Sequence, residues 1–368
     1  MKKDFKPILI AWEITRRCEL NCKHCRASAS SAVYGNEFTP EECFKLLDNI
    51  SSNFNPIIIL TGGEPLLRSD VFDIARYGTG LGLRVVMATC GVLMGRDEAR
   101  RIRESGVKRI SVSIDGSTPE IHDNFRGVPG AFERTTEGIR WAKSEGVQFQ
   151  INTTVTKYNV GDLPDILKLT IELGAVSFHP FLLVPTGRGR ELVDQELSPE
   201  QYEETLIWIN QMGGKVPIQI KPTCAPHYYR IVRQSKKSAS KENVSANPEK
   251  SARHRNHHSH LESRTKGCMG GQYFAFISHT GKVQICGFLE VEGGDVRKSR
   301  YNFADIWNNS HLFAQMRDWD GYRGRCGYCE YRAICGGCRA RAYAITGDYL
   351  AEEPYCVYTP GRRKNGPD

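Results

Sequence analysis

Six short apolar runs rich in β-branched residues alternate with helix-like patterns along the chain, at 8–14, 57–61, 83–88, 110–114, 149–155 and 176–183. Strands separated by helix-length segments pair in parallel, because an antiparallel partner needs only a short turn. The first helical pattern opens at Thr39-Pro40-Glu41-Glu42, with a capping residue, a first-turn proline and early acids. Further patterns at 99–104, 131–144 and 163–173 are followed by Gly106, Gly146 and Gly174, where the left-handed turn that stops a helix costs little. The expected fold class is α/β. Six such units form an open or curved parallel sheet.

Just past the first run stand Cys18, Cys22 and Cys25, with three and two residues between them. Thiolate is the soft ligand that iron–sulfur sites take, and a triplet so spaced can wrap one corner of a cubane cluster. The next cysteine is Cys43, so the fourth iron is left to a ligand that is not protein. Taken alone, the triplet also fits a zinc site or three unrelated buried cysteines. The second run ends in Thr61-Gly62-Gly63-Glu64-Pro65, where glycines admit a ligand close to the backbone and the Glu64 carboxylate can accept from an ammonium group. Cys43 and Cys90 have no partner spacing and read as ordinary buried residues.

At 368 residues there is room for about two domains. Thirteen cysteines raise the thought of disulfides, but the opening apolar run is too short for a secretion signal and Glu13 interrupts it. No stretch approaches the ~20 apolar residues of a membrane span. The cysteines therefore read as metal ligands of a cytoplasmic protein. A net charge of +8 suits an anionic small molecule or an acidic electron-donor protein and does not by itself indicate nucleic acid.

Residues 235–266 hold eight Lys or Arg, three Glu and four His, with Val244 and Leu261 the only large aliphatic residues. Such a segment cannot bury a core, so a mobile polar insertion is expected. His254, His257, His258 and His260 are more simply an exposed loop than a metal site. Beyond it, apolar runs at 273–278 and 282–285 flank His279-Thr280-Gly281 and read as a hairpin. Cys268, Cys286, Cys326, Cys329, Cys335, Cys338 and Cys356 follow, with Cys224 upstream. Zinc ribbons would permit the same spacings.

The triplet, with His24 before its third cysteine, and the Gly-Gly-Glu after the second strand together resemble the radical S-adenosylmethionine (SAM) enzymes. That resemblance implies a partial (β/α)6 barrel at 1–215 and a [4Fe–4S] cluster whose open iron binds SAM. It also implies SAM contacts from Gly62, Gly63, Glu64, Thr89, Ser113 and Arg126, the last in a His122–Gly127 loop. The later cysteines resemble the SPASM auxiliary-cluster domain, expected at 267–368 after a bridging segment at 216–266. They depart from it at Cys335-Gly336-Gly337-Cys338, which has two intervening residues where SPASM usually has three. By that likeness Cys326, Cys329, Cys335 and Cys356 hold one auxiliary [4Fe–4S] cluster. Cys268, Cys286 and Cys338 hold another, with Cys224 the candidate fourth ligand.

Three stretches are similar to the radical SAM enzymes of the alternative haem pathway: Ile10-Ala11-Trp12-Glu13, 222–230 around Cys224-Ala225-Pro226-His227-Tyr228-Tyr229-Arg230, and 276–287. This implies oxidative decarboxylation of two propionates of iron-coproporphyrin III to vinyl groups, giving haem b. The sister activities, didecarboxysirohaem deacetylation and haem d1 synthesis, share most of these motifs, and a SPASM peptide maturase would use the same clusters. A low-potential donor such as ferredoxin or flavodoxin would supply electrons, and the auxiliary clusters would pass the excess electron to an unknown acceptor. Arg26, Arg188, Arg190 and Arg230 are candidates to grip substrate carboxylates, and His227, Tyr228 and Tyr229 to meet the macrocycle.

Overall fold

The computed structural model describes residues 5–243 and 267–361. The chain runs β1 (Leu9–Thr15), α1 (Pro40–Asn53), β2 (Ile57–Gly62), α2 (Val71–Gly80), β3 (Arg84–Thr89), α3 (Arg96–Glu104) and β4 (Arg109–Ser113). It continues α4 (Pro119–Arg126), α5 (Ala131–Ser144), β5 (Gln148–Val155), α6 (Leu163–Leu173), β6 (Ser177–Leu182), α7 (Pro199–Met212), β7 (Gln219–Ile220) and α8 (His227–Asn243). The carboxyl-terminal part holds β8 (Phe274–Ile277), β9 (Lys282–Gln284), β10 (Gly294–Asp295), α9 (Phe303–Asn309), α10 (His311–Arg317), α11 (Gly324–Tyr328) and α12 (Arg339–Thr346).

All six expected strands form, and β1 to β7 pair in sequence order, every pair parallel. Their inward positions, among them Ile10, Trp12, Ile58, Leu60, Val85, Met87, Ile110 and Ile151, are buried in one core with the apolar faces of the helices. Thr39 caps α1 in a reciprocal box with Glu42, as its sequence implies. Gly106, Gly146 and Gly174 all take positive φ at helix ends.

The hairpin forms too, but it does not stand apart from the barrel. β8 pairs in parallel with the free edge of β1, Leu9 opposite Phe274 and Trp12 opposite Ile277, so a single ten-stranded sheet runs β10-β9-β8-β1-β2-β3-β4-β5-β6-β7. Two local readings are corrected. The His122–Gly127 loop is helical, since Pro119 starts α4 and Gly127 at φ +70° ends it. The first part of the polar insertion expected from 235 is helical, because α8 carries through Asn243. The rest of that segment, with its four histidines, lies outside the described residues.

Candidate functional site

β1 ends at Thr15 and passes directly into the loop bearing Cys18, Cys22 and Cys25. The loop is held from several sides. The Cys18 N–H donates to the Ser30 carbonyl at 2.8 Å, and those of Asn21 and Lys23 donate to the Arg126 and Phe125 carbonyls on α4. Arg188 donates through Nε to the Cys22 carbonyl at 2.9 Å and through Nη1 to that of Ala29 at 2.6 Å. The three thiols share a small apolar pocket with Leu20, Ala27, Ala29, Cys90, Val92 and Ala131. Burial pushes the Cys18 thiol up to about 12, and the nearby Glu64, Cys22 and Cys25 push it the same way. Burial raises the Cys22 thiol as well. Thiolates gathered in such surroundings need a cationic partner, and an iron cluster is one that three of them fit.

Gly62 and Gly63 answer to this loop. A Cβ at Gly62 would lie 2.0 Å from the Thr15 carbonyl oxygen, and one at Gly63 would lie 2.1 Å from that of Arg17. The turn therefore lies flush against the root of the cysteine loop, which only glycine permits. Glu64 is fully buried, and its carboxylate accepts from the Thr89 hydroxyl at 2.8 Å, the Cys90 N–H at 2.7 Å and the Leu66 N–H at 3.0 Å. Burial holds its pKa above the ordinary carboxylate value, against the donors that lower it. The carboxylate expected to receive an ammonium group is thus turned inward, with Thr89 committed to it. What this turn can present to a ligand is its backbone.

Ser113 ends β4 half-buried opposite Asn152, and among the described residues its hydroxyl has no hydrogen-bond partner. Arg126 is already engaged. Its Nη2 lies 2.6 Å from Asp115 and its Nη1 3.6 Å from the Cys22 sulfur. Burial lowers its pKa, but Asp115 and Cys22 more than offset this, so the cation is held beside a cysteine of the triplet. His24 stacks on Phe125 at 4.4 Å.

The other cysteines fall into two groups. Cys326, Cys329, Cys335 and Cys356 line one cavity of about 430 Å³, open mouth included, with His227, Arg230, Tyr331 and Tyr358 among its walls. Backbone N–H groups point at three of the sulfurs: Glu353 at Cys326 (3.4 Å), Tyr331 at Cys329 (3.4 Å) and Gly337 at Cys335 (3.5 Å). Such donors favour thiolate over thiol. Gly336 and Gly337, at φ +73° and +62°, make the sharp turn between Cys335 and Cys338. Burial pushes Cys338 up to about 11, and Cys268 is close enough to add to it. Burial likewise raises Cys224, with further contributions from Cys338, Cys286 and Cys268. Cys224 is therefore brought to this second group. It sits at φ +57°, its carbonyl accepting from Tyr202 at 2.9 Å and Arg341 at 3.3 Å. Among the described residues no three His, Cys, Asp or Glu side chains converge tightly enough to hold one metal ion. A cubane, which takes each thiolate on its own iron, asks for a wider spread.

Three of the four candidate carboxylate-gripping arginines are committed to protein partners, and Arg190 is mostly exposed. Arg26 pairs with Glu13 at 2.7 Å, and Arg188 binds the cysteine loop. Arg190 faces Glu290 at 3.7 Å, while Arg230 is buried on Glu203 and Gln234. Tyr228 and Tyr229 meet each other edge to face on α8. Cys43 is a core residue and Cys90 lies in the pocket of the triplet.

Two buried polar clusters escaped the sequence reading. Glu13 is wholly buried in β1 and contacts His279 at 2.6 Å in the β8–β9 turn, along with Arg26 and Arg16. Burial alone would raise its pKa, but these partners bring it to about 2. A lone acid inside an apolar strand was the available signal. In the second cluster, Arg341 contacts Glu353 at 3.5 Å and donates to the Leu183 carbonyl at 2.8 Å, tying α12 to the end of β6. Nothing in local sequence pattern pairs residues so far apart.

The sequence matches the radical SAM superfamily over residues 12–170 and an iron–sulfur cluster-binding domain, SPASM, over 268–339. The first domain works with a [4Fe–4S] cluster and SAM, the second with auxiliary iron–sulfur clusters. The chain is 50% identical to the AdoMet-dependent heme synthase of Methanosarcina barkeri, over 97% of this chain and 98% of that protein. It is 31% identical to the Fe-coproporphyrin III synthase of the same organism, over 97% and 89%. Streptococcus suis SuiB, solved with S-adenosylmethionine, shares the fold with a TM-score of 0.74 at 14% identity, covering 96% of this chain and 78% of that one. Among the described residues no helix is long and apolar enough to cross a membrane. The chain belongs to the family of the AdoMet-dependent haem synthases, radical SAM enzymes with a SPASM domain.

Proposed function

We propose that the chain oxidatively decarboxylates two propionate side chains of iron-coproporphyrin III to vinyl groups, giving haem b. The observation that carries this reading is the gap in similarity. Identity is 50% to an AdoMet-dependent heme synthase, against 30% to a pre-heme d1 synthase and 27% to a PqqA peptide cyclase, each over most of the chain. Cys18, Cys22 and Cys25 are assigned to the SAM-binding cluster. Cys326, Cys329, Cys335 and Cys356 are assigned to one auxiliary cluster, and Cys224, Cys268, Cys286 and Cys338 to the other. When bound, the first cluster and SAM supply a 5′-deoxyadenosyl radical able to take a hydrogen atom from a propionate β-carbon. Arg188 fixes the loop that bears the triplet. Arg126 places a positive charge beside Cys22, and the Ser113 hydroxyl is free to meet SAM. Anaerobic incubation with SAM, reductant and iron-coproporphyrin III, read by mass spectrometry, should show loss of two carboxyl groups. No decarboxylation, alongside activity on didecarboxysirohaem or a precursor peptide, would move the assignment to a sister enzyme or to the maturases.

A further inference from the structure

His227 opens α8 three residues after Cys224 and forms part of the wall of the cavity lined by Cys326, Cys329, Cys335 and Cys356. Its side chain is 1% exposed. Among the described residues neither ring nitrogen has a hydrogen-bond partner. A Glu353 oxygen lies 4.0 Å from Nε2, beyond hydrogen-bond reach, and that carboxylate already receives the Cys338 N–H. Tyr202 meets the ring at 5.1 Å in an edge-to-face contact, which positions it without satisfying it. A buried polar ring left without partners is costly, so its place in a cavity wall points to something that fills the cavity. Three of the four sulfurs already have donors directed at them: the Glu353 N–H and Arg339 at Cys326, the Tyr331 N–H at Cys329 and the Gly337 N–H at Cys335. A ring N–H would extend the same pattern to the cluster's own sulfur atoms.

We infer that His227 donates a hydrogen bond to a sulfur of the cluster held by these four cysteines, and so sets its reduction potential without being one of its iron ligands. This rests on the proposal that the cavity holds a cluster. A hydrogen bond to a cluster sulfur stabilises the more negative, reduced form and raises the potential. His227 is thus a positioning and tuning residue, a role that spacing among cysteines does not reveal.

The test is a redox titration followed by electron paramagnetic resonance on the anaerobically reconstituted full chain, with iron counted in every sample. In His227→Leu the iron content should equal that of the wild type. One cluster should shift to a more negative midpoint potential while the other two stay in place. His227→Gln, which keeps an N–H donor of similar reach, should recover much of that shift. A His227→Leu protein with full iron and three unshifted potentials would overturn the inference. So would the loss of about four irons, which would make His227 a ligand or a folding residue. If the wild type itself lacks this cluster, as judged by unchanged iron in Cys329→Ala, the underlying assignment fails instead, and the inference with it.

Discussion

The charges near the candidate site are buried, so removing one leaves its partner stranded. Arg126→Met would leave Asp115, itself fully buried, without its cation. Breaking a buried pair in this way costs about 3–5 kcal/mol, and chemical denaturation of the variant against wild type would show it. Glu13 gives a pH-dependent test. Its folded pKa of about 2 lies below the ordinary value of 4.5, so its stabilisation is present above pH 4.5 and lost as pH falls toward 2. The shift corresponds to roughly 3 kcal/mol at neutral pH by the 1.36 kcal/mol per unit relation. Glu13→Gln should therefore be less stable than wild type at pH 7, with the difference reduced by more than half at pH 3. A difference independent of pH would contradict the charge-based account.

The sheet-forming elements were the most legible part of the chain. Alternating β-branched runs and capped helices gave six strands and several helices, because each is specified by its own residues. The pairing of β8 with β1 was not legible, since it joins segments more than 250 residues apart and depends on the edge that the barrel leaves open. The same limit applies at the site. The cysteine spacings marked the ligand candidates, but Glu64 turning inward toward Thr89, and Arg126 closing on Asp115, are outcomes of packing between strands. The helices α2, α4 and α7 and all those from α8 to α12 were not read from the sequence; α2 and α4 are too short, at ten and eight residues, to show much apolar periodicity. The parallel β1–β8 seam has a consequence for truncation. A chain ending at residue 243 would expose the edge from Leu9 to Trp12, and an uncovered apolar edge invites association. Such a fragment should aggregate on light scattering, whereas a soluble monomer would show that the barrel closes its edge without the hairpin.

Across the molecule, 11 of the 13 cysteines are assigned in our proposal to one triplet and two groups of four, and one continuous sheet runs through both parts of the chain. This division predicts that damage stays local. Cys329→Ala removes a thiol from the auxiliary cavity but leaves the loop after β1 untouched. It should keep reductive SAM cleavage while losing conversion of iron-coproporphyrin III, and full conversion to haem b by that variant would count against a role for the auxiliary cluster in the reaction. The most direct measurement is metal content per chain after anaerobic reconstitution, for the wild type and for the variant with Cys18, Cys22 and Cys25 all replaced by alanine. Three cubanes predict about twelve irons in the first and about eight in the second, with SAM cleavage abolished in the variant. Iron near four per chain in the wild type, with zinc making up the remainder, would contradict the account.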